Sequence, residues 1–268
     1  MFQKITSHIV TPPTAATDAA PTSLQRICVV TGGSSGIGAA VCGRAAGEGW
    51  RVMSVSRRPC GAQSNLAISS VLVDLAGGAD GPGAAEKAAE AVVEAVRAEL
   101  QGTKAQIYLI HGASNYPADS AASVDLNGLS RALELNVTQP ARLTTLLLPL
   151  MAPGSSVLFV GSTLSEKAVG GKLSYCTAKH AMVGLMRATA QDLLWSGIHT
   201  ALVCPGITDT EMVRQATAGH EHAFAEFVSE LQGRMLEPSE VADAIWNVAR
   251  SPVLHGAIIH CNNGQKER

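Results

Sequence analysis

Tyr175 and Lys179 stand four residues apart, so on a helix they share one face, about one turn from each other. A phenol titrates near 10 and is a poor proton carrier at neutral pH; a neighbouring ammonium favours the phenolate and draws that value down. A depression of about two units requires roughly 2.7 kcal/mol, within reach of a partly desolvated pair. Ser162 can point a hydroxyl at the same pocket. Tyr-x-x-x-Lys is common by chance, and alone it would read as a structural tyrosine and a surface lysine. A second chemistry lies nearer the N-terminus, in Thr31-Gly32-Gly33-Ser34-Ser35-Gly36-Ile37-Gly38. A glycine turn between a strand and a helix start offers free backbone N–H groups and a positive helix end to an anion, and glycines let the backbone come close. The plain alternative is a turn that serves only helix–strand packing. A third group, Ser56-Arg57-Arg58, stands where dinucleotide folds usually carry an acid for the ribose hydroxyls. An arginine fork suits a 2′-phosphate and gains little from a bare ribose, which favours NADP(H) over NAD(H). A solvated basic edge is the other reading.

These groups need elements to hold them, and the chain alternates strand and helix patterns. Arg26–Val30, Arg51–Ser56, Ser70–Val73, Gln106–Ile110, Ser156–Val160, His199–Cys204 and Ala257–His260 are short β-branched or apolar runs. Helical patterns fall between them: from Ala39 to near Gly47, from Gly83 to Leu100 with Gly102 as a stop, from about Ser123 to Leu150, from Tyr175 to Trp195, and from Pro238 to Arg250. The alternation predicts a single α/β domain, a Rossmann-like doubly wound parallel sheet with helices on both faces and ligands at the C-terminal strand ends. Pro140 removes an N–H inside the helix that begins near Ser123 and should kink it. Asp74 closes the third strand, where it can accept from an adenine amino group or serve a turn.

Composition narrows the class. A chain of 268 residues with 46% hydrophobic and 16% charged residues can bury a large core, and a net charge of −2 disfavours nucleic acid and anionic membranes. No apolar run reaches the roughly 20 residues of a membrane span. Six cysteines at irregular spacing, with no Cys-x-x-Cys, read as reduced buried thiols in a cytoplasmic protein, with no metal site. Residues 1–24 are rich in Pro, Thr and Ala and lack secretory or presequence patterns, so they read as a flexible extension ahead of a domain spanning 25–268.

Thr31-Gly32-x-x-x-Gly36-x-Gly38, Asn136 in Leu135-Asn136-Val137-Thr138-Gln139-Pro140, Ser162, Tyr175-Cys176-Thr177-Ala178-Lys179, and Pro205-Gly206 with Thr210 beyond together resemble the short-chain dehydrogenase/reductase family. The resemblance runs over essentially Arg26 to Gly264. It implies that Tyr175 is the general acid/base, that Ser162 orients the carbonyl, that Lys179 also holds the nicotinamide ribose, and that Asn136 positions a relay water. The same resemblance assigns Gly32, Ser34, Ser35, Gly36, Ile37, Gly38, Ser56, Arg57, Arg58, Asp74, Pro205, Gly206 and Thr210 to the dinucleotide, and suggests a homodimer or homotetramer through the helices that begin near Ser123 and Tyr175. The chain departs from the family at His111-Gly112-Ala113-Ser114, where Asn-Asn-Ala-Gly is usual, at Ser34 and Ser35, where many NADP-preferring members carry a basic residue, and at its last strand end, His260-Cys261-Asn262-Asn263-Gly264. His111 reads as structural rather than catalytic.

Substrate choice falls to Leu164–Leu173 and to Ile207–Met235, where Met212, Val213, Phe224, Phe227, Val228 and Leu231 form an amphipathic lid pattern; His220 and His222 within it read as solvated. The expected activity is reduction of a neutral ketone or aldehyde, or oxidation of the alcohol, with NADP(H). The alternatives are a 3-oxoacyl-[acyl-carrier-protein] reductase, for which the lid offers mainly Arg214 and Arg234 as basic residues, and a catalytically idle NADP-binding regulator.

Overall fold

The computed structural model describes residues 24–61, 67–77, 83–100 and 104–266; the N-terminal extension up to residue 23 and the Gly102 stop lie outside them. Seven strands form one sheet: β1 (Arg26–Thr31), β2 (Arg51–Ser56), β3 (Ile68–Leu72), β4 (Gln106–His111), β5 (Ser156–Val160), β6 (His199–Pro205) and β7 (Ile258–Cys261). Their spatial order is β3-β2-β1-β4-β5-β6-β7, every pairing parallel. The order reverses between β1 and β4, and such a switch point opens a crevice at the C-terminal strand ends.

Alternation along each strand sorts the core into two layers. Ile27 and Val29 of β1 face one layer, built on α2 (Ala84–Leu100), α4 (Gln139–Leu147) and α5 (Leu173–Asp192). Cys28 and Val30 face the other, built on α1 (Gly36–Gly47) and α8 (Pro238–Ala249). Trp50, Tyr108 and Trp246 pack together in that second layer with ring centroids 4.2 to 5.4 Å apart. β1, β2, β4, β5 and β6 are buried on both faces, which explains why they read as apolar runs in the sequence, whereas β3 and β7 at the sheet edges are partly exposed.

The expected single helix from Ser123 to Leu150 is instead a composite. Asp125 caps α3 (Leu126–Leu133) by accepting from the Asn127 N–H, a π turn follows over Glu134–Thr138, and α4 starts at Gln139. Pro140 has no N–H to donate, so the backbone relaxes into a wider turn in which the Gln139 N–H reaches the Glu134 carbonyl. The kink expected at Pro140 is thus taken up one turn earlier, around Asn136. Two further helices, α6 (Glu211–Ala216) and α7 (Glu221–Gln232), follow the C-terminal end of β6. Gln232 fastens them: its amide accepts from the Ile207 N–H at 2.8 Å and donates to the Ile207 and Arg234 carbonyls. No helix among the described residues is long and apolar enough to cross a membrane.

Candidate active site

The glycine turn leaves β1 at Thr31 and enters α1 at Gly36. Gly32 has φ +77° and Gly36 φ +54°, conformations L side chains rarely adopt. A Cβ on Gly32 would sit 2.9 Å from Ala113 backbone atoms, and one on Gly38 would collide with the Gly32 carbonyl. Thr31 ties the turn to the end of β4, its Oγ1 accepting from the Gly112 and Ala113 N–H groups at 3.1 Å each. Ser35 caps α1 with no side-chain hydrogen bond, so the first N–H groups of the helix, from Ile37 onward, have no side-chain cap. A close-packed glycine turn at a helix start without a side-chain cap could hold a dinucleotide pyrophosphate. Among the described residues, no group of three or more His, Cys, Asp or Glu could hold a metal ion.

The end of β2 carries the arginines. Ser56 is turned inward, its hydroxyl donating to the Arg58 carbonyl at 2.7 Å. Arg57 is exposed and makes no ion pair among the described residues. Arg58 is ion-paired with Glu211, the first residue of α6, at 3.0 Å. Beside it, Thr210 caps α6 and lies against Gly36. Glu211 escaped notice in the sequence because it is 153 residues from its partner. Asp74 accepts from the Ala76 N–H at 3.0 Å, the turn role that was its alternative reading.

Opposite this cradle, the reactive side chains come together. Ser162 follows β5; its Oγ accepts from the Leu164 N–H at 3.1 Å and lies within hydrogen-bond reach of the Tyr175 hydroxyl. Tyr175, from the first turn of α5, and Lys179 one turn on are both buried. Lys179 Nζ donates to the Val160 carbonyl at 2.9 Å and stands 5.6 Å from the Tyr175 ring centroid. Pro205 and Gly206 close β6 across the crevice.

The electrostatics correct one expectation. Burial pushes the Tyr175 hydroxyl well above the ordinary phenol value. The Ser162 hydrogen bond offsets this only in part, and the neighbouring Tyr116, Cys176 and Cys204 add to the rise. Lys179, whose Nζ donates to the Val160 carbonyl, does not draw it down, because it gives up its own charge before so buried a hydroxyl titrates. Burial lowers Lys179 itself to about 8. In a buried site the cost of forming a phenolate outweighs the attraction the one-turn spacing promised.

Asn136 sits in the π turn, fully buried. Its amide donates to the Ala132 carbonyl and its Oδ1 accepts from Ser114, leaving one amide hydrogen and one lone pair. Ser114, a departure from the usual glycine, is thus the residue that orients Asn136. His111 is buried beside Phe159 and shares a hydrogen bond with Thr144 at 3.0 Å; burial holds it neutral, with its pKa down to about 3. At the opposite side of the crevice His260 pairs with Glu166 at 2.8 Å. His222 is exposed and 3.5 Å from Glu226.

A model of the short chain dehydrogenase family matches residues 26–221, which span the glycine turn, Asn136, Ser162, Tyr175 and Lys179. The chain belongs to that family. It is an oxidoreductase acting on CH–OH groups with a nicotinamide dinucleotide. Among curated relatives, a 3-oxoacyl-[acyl-carrier-protein] reductase of Mus musculus is 27% identical over 247 residues, covering 90% of this chain and 98% of that protein. The Escherichia coli enzyme FabG, of the same printed activity, is 26% identical over 248 residues, covering 89% and 96%. A solved protein from Thermus thermophilus superimposes with a TM-score of 0.77 at 28% identity, over 90% of this dehydrogenase chain and 98% of that one. An NADP-bound 3-oxoacyl reductase from Agrobacterium tumefaciens C58 shares the fold with a TM-score of 0.76 at 24% identity, over 90% and 95%.

Proposed function

We propose that the protein interconverts a ketone or aldehyde and its alcohol with NADP(H), using Tyr175 as the proton donor and acceptor. The observation that carries this reading is the meeting of the half-buried Ser162 with the buried Tyr175 and Lys179 at the same C-terminal end of the parallel sheet that bears the glycine turn. The nicotinamide, when bound, supplies or accepts the hydride. Ser162, whose Oγ accepts from Leu164 and lies within hydrogen-bond reach of the Tyr175 hydroxyl, would turn its hydroxyl proton to the carbonyl oxygen. Tyr175 delivers a proton to that oxygen; burial keeps it protonated at neutral pH, so it holds the proton that reduction consumes. Lys179 and Asn136 stand behind it to hold the ribose and to refill the proton. The glycine cradle would take the pyrophosphate and Arg57 the 2′-phosphate, with Arg58 joining when it leaves Glu211.

The second reading, a 3-oxoacyl-[acyl-carrier-protein] reductase, draws on the printed activity of the relatives. Against it, Arg214 is engaged with Asp209 at 2.7 and 2.9 Å and Arg234 with Glu240 at 2.6 and 2.7 Å, so the lid presents no unpaired arginine to an acidic carrier. A panel of small ketones, aldehydes and 3-oxoacyl thioesters, followed by NADPH and NADH absorbance, separates the readings. Turnover of small carbonyls with NADPH supports the first. Turnover only of carrier-bound thioesters selects the second, and no turnover of any carbonyl or alcohol would point to an idle regulator.

A further inference from the structure

The helix that carries Tyr175 has no cap of its own. Lys172, at the capping position of α5, makes no side-chain hydrogen bond to the first turn. The cap comes from Asp119, in the loop after β4. Its Oδ1 accepts from the Ser174 N–H at 3.0 Å, and its Oδ2 accepts a short hydrogen bond from the Ser174 hydroxyl. The backbones pair as well: Asp119 N–H donates to the Gly171 carbonyl at 3.1 Å and Leu173 N–H to the Asp119 carbonyl at 3.2 Å. Asp119 and Ser174 are both buried, so neither oxygen can be exchanged for water at low cost. The same loop grips the turn a second time. Tyr116 packs edge to face against Tyr175 with centroids 4.7 Å apart, and Lys172 Nζ lies 3.7 Å above the Tyr116 ring.

We propose that Asp119 is a positioning residue for the reaction: by capping α5 from across the chain, it fixes the first turn and thereby the Tyr175 hydroxyl against Ser162. The residue next to Ser174 is Tyr175, so a displacement of the cap is passed directly to the reacting oxygen. Asp119 touches neither reactant. This inference rests on Tyr175 being the proton donor.

The test is a double-mutant comparison on the full chain, with the best carbonyl substrate from the panel above. Asp119→Ala should lower kcat about 10- to 100-fold while the NADPH Kd moves less than about twofold, since the cradle lies across the crevice. Asp119→Asn keeps one acceptor oxygen of two and should fall between the parent and the alanine variant; it also serves if the alanine variant does not fold. In a Tyr175→Phe background, either substitution should cause no further loss, because the hydroxyl it positions is gone. Amide exchange at residues 173–176 should quicken in both backgrounds. The inference is overturned if Asp119 variants keep parental kcat, or if they lose the same factor with and without the Tyr175 hydroxyl. A Tyr175→Phe protein with near-parental turnover would instead overturn the proton-donor reading itself.

Discussion

The two ends of the crevice are built differently. At the end we assign to the cofactor, one continuous stretch from Thr31 to Gly38 turns into a helix start with no side-chain cap, and its glycines stand where a Cβ would strike neighbouring protein atoms. Its basic side chains, Arg57 and Arg58, are exposed. At the chemical end, the working groups are buried side chains of the π turn and α5 and a half-buried one from the β5 end, with Asp119 and Ser114 orienting them from the β4 loop. The contrast teaches that one end is specified by local geometry and the other by distant packing. The cofactor end should therefore respond to substitution mainly through binding, and the chemical end mainly through turnover and pH.

The largest expected effect separates the ends outright. Tyr175→Phe should lower kcat by about 10² to 10⁴, the usual worth of a positioned acid, while leaving NADPH affinity and melting temperature close to the parent. Retention of turnover within a few-fold would show that the proton comes from another group. At the cofactor end, Arg57→Ala should weaken NADPH binding about 10- to 100-fold and leave NADH binding unchanged, the loss of one charge-assisted contact. Arg58→Ala should do less, because the Arg58 charge is already engaged by Glu211. Tighter NADH than NADPH binding in the parent would refute the arginine assignment.

Two smaller effects are read against pH. Lys179 titrates near 8 when folded, below the ordinary lysine value near 10.5. The unfolded chain then holds more protons between those values, so this site makes the cofactor-free protein more stable as pH rises from about 8 to 10.5. Turnover should fall over the same limb as the ammonium is lost, and Lys179→Met should flatten the stability limb. His111 gives an acid-side counterpart. Its folded pKa of about 3 lies below the ordinary value near 6.5, so the stability it contributes is full above 6.5 and lost as pH falls toward 3. His111→Asn should reduce that loss in an acid titration followed by circular dichroism, and an unchanged acid limb would count against the burial argument.

Much of this was legible in the linear chain. Strand positions were readable because strands buried on both faces must be apolar throughout, and β2 and β5 fall where the apolar runs lie. The glycine turn was readable because its function is local: positive φ and close approach demand glycine wherever the turn occurs. Tyr175, Lys179 and Ser162 were readable as residue types at given spacings. What the tertiary structure alone decided were the partners. The Lys179 ammonium goes to the Val160 carbonyl, and burial raises the Tyr175 hydroxyl where spacing suggested the reverse. Arg58 meets Glu211, and Asp119 caps Ser174 from 55 residues away. Pro140 marked a break, but its relaxation into the turn holding Asn136 depended on the helix geometry around it. Local conformational preference is written in a few adjacent residues; which buried donor finds which acceptor, and in how dry a pocket, is fixed only when distant segments are packed together.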